Sequence, residues 1–137
     1  MKSIVIVPTY NEKENISNLI PAILKQESNV HILVVDDSSP DGTADVVRGF
    51  ISQEPLRVHL LSRAGKEGLG RAYIAGFQWA LEKNYEFIVE MDADFSHRVV
   101  DLSKILQAGE SHDFVIGSRY VPGGETVNWT WLRKLIS

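Results

Sequence analysis

Cysteine is missing from all 137 residues of the sequence. Disulfide bonds and thiolate metal sites are therefore excluded, which fits a reducing compartment. No apolar run approaches the length of about 18 residues that a membrane-spanning helix needs. The first residues also lack the long apolar segment and the cleavage site of a signal peptide. Internal repeats and low-complexity segments are missing as well, so the sequence is typical of a globular protein.

An excess of positive charge is missing too. The chain carries 14 Lys and Arg against 18 Asp and Glu, with a formal net charge of −4. A broad nucleic-acid-binding surface is therefore not expected. Hydrophobic residues make up 44% and charged residues 23%, which are ordinary proportions for a folded chain. We expect one domain with its own hydrophobic core.

Apolar runs alternate with amphipathic stretches along the chain. Short β-branched runs predict five strands, at residues 3–8, 30–35, 57–61, 87–91 and 113–118. Apolar spacings of three and four predict helices at residues 11–27, 44–51, 71–83 and 101–109. Asn11 is expected to cap the first helix and Gly109 to end the last. Because the strands are apolar throughout, we expect a mainly parallel sheet with helices on both faces, which is a Rossmann-like three-layer α/β domain.

Acidic residues gather where three of these strands end, in "PTYNE", "VDDSSPDGT" and "MDADFSH". Right-handed crossovers bring these ends to one edge of the sheet, where α/β domains bind ligands. The carboxylates expected to face one crevice are Glu12, one of Asp36 and Asp37, Asp92 and Asp94. Such oxygen ligands suit Mg²⁺ or Mn²⁺. Asp92 and Asp94 lie on the same side of an extended segment, which predicts a pair that holds a metal, which in turn holds a diphosphate.

Simpler interpretations of individual residues stay open. A single D-x-D pair also occurs by chance. Asp41 is favoured as a helix cap or turn former over a ligand, and His97 is favoured as a structural residue over a ligand. The segment "GKEGLG" could be only a turn. It matches neither the dinucleotide-binding fingerprint nor the phosphate-binding loop of ATPases, which argues against both of those classes.

Several aromatic and small residues are expected to be structural. His31 and His59 are expected at the surface or at strand edges, and Trp79 in the core. On the third helix, Ala72 and Gly76 belong to a narrow face of small residues. Such a face predicts that the helix packs close to the sheet.

Five motifs occur in one order from residue 2 to residue 137: "VIVPTYNEKENI", "VVDDSSPDGTADVV", "GLGRAYIAGFQWA", "MDADFSH" and "DFVIGSRYVPGG". Together they resemble the family-2 inverting glycosyltransferases, and most of all the polyprenol (dolichol) phosphate mannosyltransferases. "PTYNE" and D-x-D are widespread in that superfamily. "DDSSPDGT" with "GLGRAY" and "IGSRYVPGG" is more specific to the polyprenol-phosphate branch. The resemblance implies one nucleotide-sugar-binding domain of the GT-A fold over residues 1–137, in which residues 117–137 form an acceptor loop and the start of an interfacial helix.

The resemblance also implies a reaction. Mannose would pass from GDP-mannose to a polyprenyl phosphate with inversion at the sugar carbon, and Mg²⁺ or Mn²⁺ would be required. A phosphate monoester with a second pKa of about 6 is already largely a dianion at neutral pH, so no general base is needed. The implied location is cytoplasmic, peripheral at the cytoplasmic face of a membrane, with room for an anchoring segment or subunit outside this chain.

The motif match implies a role for each of a set of residues. The nucleotide-sugar pocket would be formed by Pro8, Tyr10, Glu12, Val35, Asp37, Asp92, Ala93, Asp94 and Arg119. The metal would be held by Asp92, Asp94 and Ser96. The acceptor phosphate would meet Arg119, Arg133 and Ser137. Asp94 and Arg119 would be the catalytic residues, because the metal and the guanidinium would stabilise the departing diphosphate.

The chain departs from the family pattern in "RVVD", residues 98–101, where the family usually has proline and acidic residues. The resemblance therefore does not predict the structure of the loop after the D-x-D motif. The amphipathic pattern from Trp129 or Trp131 suits either a membrane surface or an ordinary core helix. It stops at Ser137, so we expect the full-length protein to continue. The alternative functions are a related family-2 enzyme with another nucleotide sugar, such as a glucose donor, and a nucleotide-sugar-binding fragment without catalysis.

Overall fold

The computed structural model describes residues 1–124 and residue 133. Within them, the strands are β1 (Ser3–Thr9), β2 (His31–Asp36), β3 (Val58–Ser62) and β4 (Phe87–Glu90). The helices are α1 (Lys13–Gln26), α2 (Thr43–Gln53), α3 (Leu69–Glu82) and α4 (Leu102–Gly109), with a 3₁₀ turn at Val99–Asp101 before α4. None of these helices is long and apolar enough to cross a membrane.

The sheet is parallel and has the strand order β3-β2-β1-β4. The chain runs outward from β1 through β2 to β3, then returns and adds β4 on the other side of β1. All residues of β1 are buried, as its central position requires. Such a reversal of strand order opens a crevice at the carboxyl ends of the two strands that flank it. Here those strands are β1 and β4.

Two hydrophobic cores cover the two faces of the sheet. Val5 and Val7 of β1 face a core shared with α1, α2 and α4. Ile4 and Ile6 of the same strand face a second core, shared with α3. This alternation follows from the opposite directions of successive side chains in a strand. The predicted three-layer α/β domain with a parallel sheet is confirmed.

The small-residue face of α3 packs directly on the sheet, as the sequence predicts. A Cβ atom on Gly76 would lie 2.7 Å from Cγ2 of Ile6 and 3.3 Å from Cγ2 of Val35. Ala72 is buried on the same face. This close approach fixes the height of α3 above β1 and β2, and with it the position of Tyr73 near the carboxyl edge.

The fifth strand predicted at residues 113–118 is wrong. No ladder joins this segment to another strand among the described residues. Phe114 and Ile116 are 79% and 73% exposed. A β-branched run fits a pleated, half-buried surface, but it becomes a strand only where a partner binds its backbone. The part of the sheet that the structure describes therefore ends at β4.

Two predicted helix ends are also wrong. α1 begins after Glu12, while Asn11 has a left-handed backbone with a φ of 55° and belongs to the turn after β1. Gly109 is the last residue of α4, and its φ is not positive. Any Cβ atom there would overlap the ring of Phe87. Close packing, and not a left-handed C-cap, therefore requires glycine at this position.

An aromatic cluster lies at the amino ends of β2 and β3, opposite the crevice. Nδ1 of His31 lies 2.7 Å from the hydroxyl of Tyr85, and the ring of His59 lies 5.1 Å from that of Trp79. All four side chains are partly or fully shielded from solvent. Both histidines therefore sit at strand ends, as predicted, and they take part in packing.

Candidate functional site

The loops after β1, β2 and β3 enclose a cleft at the carboxyl edge of the sheet. It has a volume of about 210 Å³ and is lined by Pro8, Thr9, Tyr10, Glu12, Asp37, Lys66 and Leu69. Pro8, Tyr10, Glu12 and Asp37 are pocket residues expected from the sequence motifs. The cleft therefore lies at the carboxyl edge, as the rule for parallel sheets predicts, but on the β2 side of β1 and not between β1 and β4.

Asp36 builds the loops of this cleft and does not line it. It is 1% exposed. Its Oδ1 accepts hydrogen bonds from Oγ1 of Thr9 at 2.8 Å and from Oγ of Ser39 at 2.6 Å, and its Oδ2 accepts one from the Ser39 N–H at 3.0 Å. These bonds tie the β1 loop to the β2 loop. Of the Asp36–Asp37 pair, only Asp37 lines the cleft, as the alternation of side chains predicts.

Asp37 is a buried carboxylate with spare hydrogen-bonding capacity. It is 5% exposed, and Nη1 of Arg63 lies 3.2 Å from its Oδ1. That contact compensates the charge, yet the Oδ1 atom accepts no hydrogen bond of good geometry from the described residues. Nη2 of Arg63 is held by Glu67 at 2.7 Å. Because buried polar atoms are nearly always satisfied, this oxygen is suited to accept a hydrogen bond from an N–H group of a ligand.

Sequence reasoning missed the contribution of the β3 loop, "RAGKEGLG". Nζ of Lys66 lies 4.5 Å from the ring centre of Tyr10, which is cation–π distance, and Leu69 also lines the cleft. Arg63 comes from the same loop. The signal for all three was the position of this loop directly after the third predicted strand, since the carboxyl ends of parallel strands meet at one edge of the sheet.

Asp41 accepts hydrogen bonds from the first N–H groups of two helices, which agrees with the predicted role as a cap or turn former. Its Oδ1 accepts a hydrogen bond from the Thr43 N–H at 2.9 Å, and its Oδ2 accepts one from the Lys13 N–H at 3.1 Å. Desolvation acts to raise the pKa of Asp41, but the hydrogen bonds from Thr43 and from the backbone of Lys13 together outweigh it and lower the pKa. Asp41 therefore serves the first turns of α1 and α2.

The D-x-D pair follows β4 with its carboxylates directed away from the core. Met91 and Ala93 are buried, while Asp92 is half-buried and Asp94 is exposed. Oδ1 of Asp94 accepts a hydrogen bond from the Ser96 N–H at 3.0 Å. Hydrogen bonds from the side chain and the backbone of Ser96 lower the pKa of Asp94, so this carboxylate is ionised at neutral pH.

Asp92 is held by two other residues. The hydroxyl of Tyr73 donates a hydrogen bond of 2.8 Å to Oδ1 of Asp92. The backbone N–H of Asp92 donates one of 3.1 Å to Nδ1 of His97. Nε2 of His97 lies 4.0 Å from Oδ2 of Asp92. His97 thus has the structural role expected of it, because one ring nitrogen accepts a backbone hydrogen bond.

The four carboxylates expected to face one crevice do not lie together: Glu12 and Asp37 line the cleft, and Asp92 and Asp94 do not. No group of three or more Asp, Glu or His residues within the described chain could hold one metal ion. The reason is the strand order: β1 separates β2 from β4, so Asp37 and Asp92 follow strands about 10 Å apart. Asp92 and Asp94 alone still fit Mg²⁺ or Mn²⁺, because such ions are commonly held by one or two carboxylates together with water and substrate phosphates.

The remaining predicted residues do not line the cleft. The side chain of Val35 is fully buried against α3, and that of Ala93 lies in the opposite core. Ser96, Arg119 and Arg133 are exposed. Ser137, the interfacial helix and most of the segment 125–137 lie outside the described residues.

The departure "RVVD" forms the turn that leads into α4. Nε of Arg98 lies 3.0 Å from Oδ2 of Asp101, and residues 99–101 form the 3₁₀ turn. An ion pair between two of its own residues therefore stabilises the loop after the D-x-D motif.

The family model for glycosyl transferase family 2 matches residues 4–136. The chain belongs to this family. Among curated proteins, it is 48% identical over 137 residues to the polyprenol monophosphomannose synthase of Mycolicibacterium smegmatis, with 99% of this chain and 52% of that protein covered. It is also 48% identical over 137 residues to the undecaprenyl-phosphate mannosyltransferase of Micrococcus luteus, with 100% of this chain and 56% of that protein covered. This family-2 chain thus spans about half the length of these relatives.

A third curated relative is more distant. The chain is 42% identical over 140 residues to the dolichol-phosphate mannosyltransferase of Pyrococcus furiosus, of which 38% is covered. All three relatives are named for transfer of mannose to a polyprenyl-type phosphate. The resemblance to that branch, expected from "DDSSPDGT" and "GLGRAY", is confirmed.

Solved structures agree on the fold. The chain superposes with a TM-score of 0.67 and 29% identity on the mannosyltransferase PcManGT from Pyrobaculum calidifontis in complex with GDP-Man and Mn²⁺, covering 77% of this chain and 31% of that one. For TarS 1–349 from S. aureus, the TM-score is 0.64 at 28% identity, covering 79% of this chain and 32% of that one. The expected GT-A fold is confirmed for this family-2 domain.

Proposed function

We propose that this domain belongs to an enzyme that transfers mannose from GDP-mannose to a polyprenyl phosphate with inversion. One observation carries the proposal. At the carboxyl edge, a cleft with the buried Asp37 lies on the β2 side of β1, and the Asp92–Asp94 pair lies on the β4 side. A nucleoside diphosphate has N–H donors at its base and negative charge at its diphosphate. Asp37 would therefore accept a hydrogen bond from the base. The Asp92–Asp94 pair would hold a metal ion that binds the diphosphate.

The base would bind in the cleft. Pro8 and Tyr10 offer an apolar wall and a ring, and Oδ1 of Asp37 offers an acceptor with spare capacity. Guanine presents a ring N–H and an amino group side by side, and Oδ1 of Asp37 would accept from one of them, while Oδ2 already accepts a hydrogen bond from Nη1 of Arg63 at 3.4 Å. Glu12 completes the polar side of the cleft. The relative solved with GDP-Man supports this choice of donor.

The diphosphate would bind beside the D-x-D pair. Asp92 and Asp94 would hold Mg²⁺ or Mn²⁺, Ser96 would keep Asp94 oriented and ionised, and Ala93 would contribute its backbone. A divalent ion there would neutralise charge that develops on the leaving diphosphate. We propose that Arg119, which precedes the undescribed segment, stabilises the same negative charge on the leaving diphosphate.

The acceptor needs alignment more than activation. A polyprenyl phosphate is largely a dianion at neutral pH, so its oxygen can attack the sugar carbon from the face opposite the leaving group without a general base. We assign Arg119, Arg133 and Ser137 to the acceptor phosphate. Because the lipid stays in the bilayer, we place the full-length protein at the cytoplasmic face of a membrane.

The reaction is tested with labelled GDP-mannose, polyprenyl phosphate and Mn²⁺, using both this chain and its full-length protein. We expect mannosyl-phosphoryl-polyprenol as the product. Transfer from a UDP-glucose donor instead would favour the related glucose enzyme. Binding of GDP-mannose without transfer by the full-length protein would favour a non-catalytic binding domain.

The metal role of Asp94 is tested by Asp94→Ala. This change removes one of two carboxylates from the D-x-D pair, so we expect metal-dependent binding of GDP-mannose to be lost. The control is Asp113→Ala, which removes an exposed carboxylate outside the site. Binding by Asp94→Ala that still differs between Mn²⁺ and chelator, as in the unchanged chain, would reject the assignment.

A further inference from the structure

Tyr73, the last residue of the motif "GLGRAY", has been given no role in the proposed reaction. Tyr73 lies on α3, is 8% exposed, and stacks on Phe77 with ring centres 6.2 Å apart. Its hydroxyl is the only polar atom of the side chain, and it points out of the core to Oδ1 of Asp92 at 2.8 Å. A buried ring with its hydroxyl at the D-x-D pair connects the helix to the metal-binding segment.

Tyr73 is itself rigidly placed. α3 lies so close to the sheet that Gly76, three residues further along, has no space for a methyl group. A ring on such a helix has little freedom, whereas Asp92 belongs to a loop with no regular structure. A hydrogen bond between the two therefore restricts mainly the carboxylate.

The backbone of Asp92 is restrained independently. Its N–H donates to Nδ1 of His97, and Met91 and Ala93 on either side are buried. These contacts fix where the side chain begins, but not the rotation of the carboxylate about its own bonds. Only Tyr73 donates a hydrogen bond to this carboxylate among the described residues.

We propose that Tyr73 is a positioning residue for Asp92. By accepting the tyrosine hydroxyl at Oδ1, the carboxylate is held in one rotamer that leaves Oδ2 for a divalent cation and the diphosphate that it binds. Groups that orient metal ligands are as much a part of such sites as the ligands. The inference rests on the proposed function, because the orientation of Asp92 matters for binding only if Asp92 takes part in it.

A purely structural role for Tyr73 makes a different prediction. Asp92 would then serve only to satisfy a buried hydroxyl, and loss of that hydroxyl would change stability alone. Tyr73→Phe separates the two roles, because phenylalanine keeps the ring, the contact with Phe77 and the core volume. Tyr85→Phe is the matched control. It also removes a shielded hydroxyl with a 2.7 Å hydrogen bond, but at the opposite end of the sheet.

The measurement is calorimetric titration with GDP, in Mn²⁺ and again with chelator. For Tyr73→Phe, we expect binding in Mn²⁺ to weaken about tenfold, and the result in chelator to equal that of the unchanged chain. For Tyr85→Phe, we expect neither to change. In the background of Asp92→Ala, Tyr73→Phe should cause no further loss, because the group that it positions is gone.

The outcomes separate this inference from the function on which it rests. Metal-dependent binding by the unchanged chain, equalled by Tyr73→Phe, would overturn the inference and leave the function standing. If the unchanged chain does not bind GDP, the proposed function is rejected for this chain. The positioning role of Tyr73 is then tested by a measurement without ligand. Side-chain couplings of Asp92 in nuclear magnetic resonance should show one rotamer in the unchanged chain and averaging in Tyr73→Phe. One rotamer in both, or averaging in both, would overturn the positioning role.

Discussion

At the scale of single residues, hydrogen bonds hold the loops of the cleft in place before any ligand binds. Asp36 accepts three of them while almost fully buried. Asp36→Ala would leave the donors of Thr9 and Ser39 without this partner. Hydrogen bonds to a charged group contribute about 1.5–3 kcal/mol each and are not additive, so we expect a loss of roughly 3 kcal/mol in urea unfolding.

The control for that change is Asp45→Ala. Asp45 forms an exposed ion pair with Arg48 at 2.7 Å, and such pairs contribute about 1 kcal/mol or less. A similar loss of stability in both variants would contradict the role given to Asp36.

Histidine protonation gives a second prediction at this scale. Burial lowers the pKa of His31, and the charges of Lys2 and Arg57 lower it further. Burial also lowers the pKa of His59, with smaller effects from His31, Lys2 and Lys83. As the pH falls below the ordinary value of 6.5, the unfolded chain binds protons that the folded chain resists. The stabilising contribution is therefore complete above pH 6.5 and is lost below it.

The measurement is the free energy of unfolding at a series of pH values from about 7.5 to 5. In the variant His31→Gln with His59→Gln, we expect a flatter dependence between about pH 6.5 and 5 than in the unchanged chain. Equal slopes in the two proteins would show that these histidines do not resist protonation on folding. Acidic groups such as Asp94, with a lowered pKa, act only at more acidic pH.

Sequence predicts some of these residues better than others. Alternation along an extended segment is enough to separate the buried Asp36 from Asp37 in the cleft. Contacts such as Arg63 with Asp37, or Tyr73 with Asp92, join residues 26 and 19 positions apart. They depend on how high a helix or loop lies above the sheet, which no local pattern encodes.

At the scale of elements, close packing decides where glycine is needed. Gly76→Ala would place a methyl group 2.7 Å from Cγ2 of the fully buried Ile6. Overpacking of this kind costs about 1–3 kcal/mol. The change to alanine also gains about 1 kcal/mol in helix propensity. The cost therefore exceeds the gain only if Ile6 cannot move. We expect Ile6 to be fixed by its burial, so stability should fall. Because α3 carries Tyr73, metal-dependent GDP binding should weaken as well.

Gly49→Ala in α2 provides the control, since a Cβ atom there would meet nothing within 4 Å. This variant should be more stable by about 0.5–1 kcal/mol, with unchanged binding. A gain of the same size for Gly76→Ala, measured by thermal unfolding, would mean that α3 can lift off the sheet without cost.

Contacts between residues distant in sequence explain which elements are predicted correctly and which are not. The four helices and the first four strands follow from apolar spacing, with ends displaced by a few residues. The segment 113–118 has the same β-branched composition, yet it has no strand partner among the described residues. Gly109 has the position of a helix-ending glycine, but the ring of Phe87 is the reason for it. In both cases the deciding contact is distant in sequence.

At the scale of the whole molecule, alternating strands and helices with right-handed crossovers were enough to predict a parallel sheet with its site at the carboxyl edge. The strand order was not predicted, and it divides the acidic residues into two groups on either side of β1. The acidic residues therefore do not share the single crevice that the sequence predicted for them. We propose that Asp37 binds one end of a nucleoside diphosphate and the Asp92–Asp94 pair the other.

That division is tested most directly by calorimetric titration of the chain with GDP-mannose, in Mn²⁺ and again with chelator, followed by competition with GDP and with UDP. The account predicts that binding requires the metal, that GDP displaces the sugar nucleotide, and that UDP does not. Binding of equal strength in chelator would contradict the metal role of Asp92 and Asp94, and displacement by UDP as readily as by GDP would contradict a guanine site at Asp37.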